Sequence, residues 1–156
     1  MTLFSAPLRV TLLEHRFETM SAAAMLAHAS DFDFQSALDL VNRLQAKRLR
    51  PNVLVICPAG GGGAVARRMA AISYPPVHSC TFPGALTLPA DANGTLIMHD
   101  VAELTRKQQA ALVEWLNTHH GRVQVIAVSE APLDARVRDG RFDTVLYYRL
   151  NTIRVP

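Results

Sequence analysis

The sequence predicts a single α/β domain built on a parallel sheet, and three observations carry that expectation. Short β-branched runs alternate with stretches of helical periodicity, the pattern of βαβ crossovers. The first of these runs passes directly into four consecutive glycines and then a helix former, a strand–loop–helix unit. The chain has 156 residues, 49% hydrophobic and 19% charged, enough for one core and too apolar for disorder.

The elements follow in order. Residues 8–13 (LRVTLL) read as a short strand or the start of a helix, and residues 21–29 are Ala-rich and helix-prone. Residues 1–29 are therefore taken as an N-terminal extension of uncertain structure, and 30–156 as the folded core. Ser30 is the expected N-cap of a helix, with acids in its first turn. Phe34, Leu38, Val41 and Leu44 recur at helical spacing, and Lys47, Arg48 and Arg50 suit a C-terminus that Pro51 ends. NVLVIC then reads as a strand buried on both faces. After Gly60, Gly61, Gly62 and Gly63, the run AVARRMA is helical.

Further strands are expected at 77–80, 95–99, 123–128 and 152–155. Leu104, Ala111, Leu112, Trp115 and Leu116 mark an amphipathic helix that Gly121 stops. Residues 132–138 and 143–149 read as two short helices.

Composition bounds the function. A formal net charge of +3 is far from the dense basic face that phosphate-backbone binding requires. Cys57 and Cys80 form no CxxC pair, so reduced thiols in a cytoplasm are expected. No apolar run reaches the roughly 20 residues of a membrane span, and no long apolar region near the N-terminus suggests a signal peptide.

Three readings compete for the glycine loop. A triphosphate P-loop needs GxxxxGK[ST], whose Lys neutralises phosphates and whose hydroxyl holds Mg²⁺. Here Ala64, Val65 and Ala66 follow the glycines, and Arg67 and Arg68 lie about a turn further on. Gly61, Gly63 and Ala66 satisfy a dinucleotide fingerprint, but Ser79, Cys80 and Thr81 stand where an acid should hold the ribose. The third reading is a tight structural turn. Ligand and turn stay open.

From Gly94 onward the strings GTLIMHDVAELTRKQQAALVEWL, VQVIAVSEAPL and GRFDTVLYYRLN follow one another. They resemble the AAA+ ATPase domain of sigma-54-dependent enhancer-binding activators, whose matching stretches read GTLFLDEI, VIAATN and GRFREDLYYRLN. Upstream, PNVLVICPAGGGG and PPVHSCTF resemble that family's PVLITGESGTGKE and PFVAVNCAAL. The resemblance implies a three-layer P-loop NTPase fold of AAA+ type, with five parallel strands in the order 5-1-4-3-2.

The departures fall on the chemistry. The Walker A lysine aligns with Gly62 or Gly63, so Gly60–Gly63 and Ala64 would form a degenerate phosphate loop. Walker B reads His99-Asp100 in place of Asp-Glu, and imidazole is a poor partner for Mg²⁺. The sensor asparagine aligns with Glu130, whose carboxylate would repel a γ-phosphate. Of two arginine fingers, the first aligns with Asp143 and the second is kept as Arg149. A single lost charge clamp costs several kcal/mol of transition-state stabilisation, and several are lost together. The resemblance with these departures implies no ATP hydrolysis and no required cofactor, with weak ATP or ADP binding left open.

Set against that family, the sequence is expected to do without the GAFTGA loop, the helical lid and the DNA-binding helix-turn-helix. The expected partners are a second copy or an intact AAA+ activator, met through the surface around Arg149. Direct sigma-factor contact, DNA binding and membrane attachment are not expected.

Plainer readings stand beside these. His99 and Asp100, as neighbours on a strand, should point to opposite faces. His119 and His120 suit helix-end capping better than zinc. The basic run 47–50 with Arg67 and Arg68 suits a solvated edge, and Trp115 and both cysteines suit the core. Tyr147 and Tyr148 fit either a subunit contact or packing of the last helix.

Overall fold

The computed structural model describes residues 22–91, 93–119 and 121–155, with side chains from Phe34 to Arg154. Helix α1 (Ala22–Ala46) leads to β1 (Val53–Ile56), α2 (Gly62–Ile72), β2 (Val77–Thr81) and β3 (Gly94–His99). A 3₁₀ turn (Val101–Glu103), α3 (Arg106–Thr118), β4 (Val123–Ser129), α4 (Leu133–Arg138), α5 (Thr144–Leu150) and β5 (Ile153–Val155) follow. All strand pairs are parallel, in the order β2-β3-β4-β1-β5. This is the expected order, read from the other edge.

The apolar runs are buried on both faces because helices cover both. Leu54, Leu96, Met98, Val125 and Ala127 pack beneath α3, α4 and α5, against Leu112, Leu133 and Leu146. The alternate residues Val53, Val55, Ile97, Ile126 and Val128 face α1 and α2, meeting Val41, Val65 and Met69. The period of two along each strand thus feeds two cores, and three layers result.

Two expectations about helix starts are corrected. α1 does not begin at Ser30 but runs through it, because the Ala-rich residues before it extend the helix at little cost. Residues 8–13 lie outside the described residues. α3 begins after Leu104, not at it: Thr105 is the N-cap, accepting from the Gln108 amide at 3.2 Å while Gln108 Oε1 accepts from the Thr105 amide at 3.0 Å.

At its other end α1 closes as expected for the position, but with an unusual residue. Arg48 adopts φ 56°, while the Arg48 amide donates to Gln45 and the Leu49 amide to Leu44. That is a Schellman closure with arginine where glycine is usual.

Asn52 locks the amino ends of the strands. Its Oδ1 accepts from the Val125 amide at 3.0 Å and its Nδ2 donates to the Arg149 carbonyl at 2.9 Å. Trp115 packs against the core and donates to the Pro89 carbonyl. The Tyr147 hydroxyl donates to Asp134, so Tyr147 is a packing residue, whereas Tyr148 is 69% exposed.

Candidate functional site

The carboxyl ends of β3, β4 and β1 lie side by side, followed by Asp100, by Glu130 and, after Cys57 and Pro58, by the glycine loop. Such an edge is where ligands bind in open parallel sheets. After β1 the backbone turns at Gly60, φ +82°, a conformation that glycine adopts freely. Gly61 caps α2 and Gly62 opens it. A Cβ on Gly62 would lie 2.4 Å from His99 Nε2 and 2.8 Å from Glu130 Oε1, so a larger residue there would push these two side chains off the loop.

Glu130, one residue past β4, places its carboxylate on this loop. The Gly60 amide donates to Oε2 at 2.8 Å and the Gly62 amide to Oε1 at 2.9 Å. Amides at the start of a helix are an anion site, and here the anion is the chain's own side chain. The bond from Gly60, then that from Gly62, holds the Glu130 carboxyl below its ordinary range, outweighing burial, with His99 adding a smaller pull.

The sign of that shift gives a prediction. A lowered carboxyl contributes stability above its unfolded value and loses it as the pH falls through the folded one. The Gly60 and Gly62 amides should stay protected from hydrogen exchange until the pH is well below the ordinary carboxylate range. Protection factors from NMR-detected exchange, taken against the intrinsic rate at each pH, check this, and in Glu130→Gln they should no longer change with pH in that range.

His99 and Asp100 converge, contrary to the expectation from strand alternation. β3 ends at His99, and Asp100 turns the backbone back with φ 61° and ψ 46°, a left-handed conformation that aspartate tolerates. His99 Nε2 then lies 3.9 Å from Asp100 Oδ2 and 3.8 Å from Glu130 Oε1. Nε2 is buried and has no hydrogen-bond partner among the described residues. Cys57, beneath the loop, is pushed up to about 11 by burial and then by the charges of Glu130 and Asp100, so it stays an inert thiol.

The chain resembles known proteins in sequence and in fold. Residues 35–156 match the Sigma-54 interaction domain. The chain belongs to that family. The phenol regulator MopR of Acinetobacter guillouiae is 34% identical over 73 residues, covering 40% of this chain and 13% of that protein. NtrX from Brucella abortus with ADP superposes with a TM-score of 0.60 at 18% identity, covering 93% of this chain and 38% of that one. Its structure with ATP gives 0.57 at 18% identity, covering 93% and 41%. The chain spans less than half the length of these relatives.

The residues of this sigma-54 interaction domain fit a magnesium nucleotide poorly. The loop amides that would take a phosphate already hold a carboxylate, and a histidine nitrogen stands where a hard cation wants oxygen. Ala64 is exposed on the first turn of α2 and offers no side-chain donor. Arg67 lies one turn on from Gly63 on α2, as its spacing implies, and its Nη1 reaches back to 3.6 Å from where a Cβ of Gly63 would be. Arg68 instead stacks over Phe34, 4.4 Å from the ring centroid.

Arg149 is not part of this cluster. It lies on α5 and lines an open cleft of about 590 Å³ with Arg50, Asn52, His119 and Tyr148, near the amino ends of β1 and β4. Asp143 has a definite role, since its side chain accepts from the Leu146 amide at 2.8 Å and caps α5. His119 caps α3 through the Trp115 carbonyl, as expected; His120 lies outside the described residues.

Proposed function

We propose that this chain is a non-hydrolysing regulatory module in transcription control that works by protein contact. One observation carries the reading: Glu130 occupies the loop amides on which a nucleotide phosphate would have to sit. The substitutions at the family's charged positions point the same way, since Gly62, His99 and Asp143 supply none of the charges expected there.

The contact surface in this reading is α5. Val145 and Tyr148 are 53% and 69% exposed, one turn apart, beside Arg149. Two apolar side chains with a neighbouring arginine make a typical interface nucleus. The partner is a second copy or an intact AAA+ activator bearing the complementary surface. Sedimentation velocity with and without an activator domain tests this. Tyr148→Ala and Val145→Asp should each weaken the association about tenfold or more, since truncated anchors cost roughly 2 kcal/mol. A monomeric profile that an activator domain leaves unchanged would refute it.

A second reading, binding of a nucleotide without catalysis, draws on the ADP- and ATP-bound NtrX structures, which share the fold. A thermal shift with ATP or ADP on the unaltered chain would favour it. No shift leaves the contact reading ahead.

A further inference from the structure

We propose that His99, Asp100 and Glu130 form a site for a first-row divalent transition ion of the zinc class, bound without nucleotide. Among the described residues these are the one group of three such side chains whose ligand atoms all lie within 4.8 Å of one another.

Three features of the cluster support the assignment. The first is His99 Nε2, which is buried and unpaired although two carboxylates flank it at 3.8 and 3.9 Å. Those separations are too long for hydrogen bonds, and an unsatisfied buried nitrogen is costly. They suit a shared ion: donors about 2.1 Å from a tetrahedral zinc stand about 3.4 Å apart, so each histidine–carboxylate pair would contract by about half an ångström and the two carboxylates, within 4.8 Å of each other, would also draw together.

The second feature is the support behind the ligands. Glu130 is already oriented by the Gly60 and Gly62 amides, and carboxylate oxygens keep a further lone pair for a metal. Asp100 is turned back toward His99 by its left-handed backbone.

The third is access and donor type. The side chains of His99, Asp100 and Glu130 are 17%, 29% and 25% exposed, so the group opens to solvent on one side. One imidazole with two carboxylates favours zinc or cobalt over magnesium, and leaves a coordination position to water or an incoming ligand.

The same residues stand where the family resemblance places Walker B and the sensor. The inference goes beyond the contact reading and does not need it, because it requires neither a partner nor α5.

The test is calorimetric titration of the full 156-residue chain with Zn²⁺, alongside Co²⁺ binding followed by visible absorption. One ion per chain is expected, with the intense cobalt bands of a four-coordinate site and no displacement by excess Mg²⁺. His99→Gln and Asp100→Asn should each weaken binding at least about tenfold, as loss of ligand support does elsewhere. His119→Ala should leave it unchanged. Circular dichroism of each variant separates loss of a ligand from loss of the fold. Zinc binding that survives His99→Gln undiminished, or that His119→Ala removes, would overturn the assignment. So would a folded chain that takes up no zinc. A chain that associates through α5 yet binds no zinc would sink this inference alone.

Discussion

Gly94→Ala is expected to lower the melting temperature by about 10 °C. Gly94 opens β3 at φ +87°, and a Cβ there would lie 2.0 Å from the Pro76 carbonyl oxygen. The left-handed conformation alone costs an alanine roughly 1–2 kcal/mol. The contact adds more, because the neighbour is backbone and cannot swing aside. That same oxygen accepts from the Thr95 amide at 2.9 Å, so relieving the clash breaks the first link between β2 and β3. A total near 3–4 kcal/mol corresponds to about 10 °C for a domain of this size. Gly121→Ala is the control. Its φ is +76°, but a Cβ there meets nothing within 4 Å, so only the conformational cost applies. Equal melting temperatures for the two variants would show that the approach to Pro76 is not the cause.

How much of this was legible in the sequence depends on the kind of question asked. Strand identity was legible because continuous runs such as VLVI and VQVIAV have few other places to go once both faces are covered. Strand order came from the family resemblance, since periodicity is silent about neighbours. The start of α1 was misplaced because Ser30 is a good cap in isolation, and only the helix preceding it removes the need for one. T-x-x-Q at Thr105 is a readable capping box, but the apolar Leu104 draws the expected boundary two residues early.

The site was half legible. The loop glycines, His99, Asp100 and Glu130 were all singled out, yet their convergence was not foreseen. Strand alternation governs residues inside a strand, and Asp100 lies just beyond one, in a left-handed conformation that only glycine visits routinely. Nor does sequence say which way Glu130 points. An acid at a sensor position can repel a phosphate, or it can take the phosphate's place. Here β4 lies beside β1, so Glu130 leaves its strand next to the glycine loop and does the second.

That substitution of a carboxylate for a phosphate leads to the second large effect. Glu130→Ala should destabilise the chain by about 2 kcal/mol, since two hydrogen bonds to a charged acceptor are lost at a partly solvated position. It should also free the Gly60 and Gly62 amides at the start of α2. An external anion then has donors to meet, and an ADP or inorganic phosphate thermal shift should appear that the parent chain lacks. A ligand at 100 times its dissociation constant adds about 2.7 kcal/mol, enough to recover the stability that the mutation removed. Glu130→Gln separates charge from shape. Its amide can accept one loop hydrogen bond, but its NH₂ end would face another N–H, so it should destabilise without opening the loop to anions as fully. If the parent chain binds ADP as tightly as Glu130→Ala does, the side chain yields the loop at no cost and is not a resident anion. If Glu130→Ala binds neither ADP nor phosphate while staying folded, the loop is a turn and nothing more. Between those outcomes lies the expected one, in which a single glutamate separates this chain from anion binding and the missing lysine and metal carboxylate still separate it from hydrolysis.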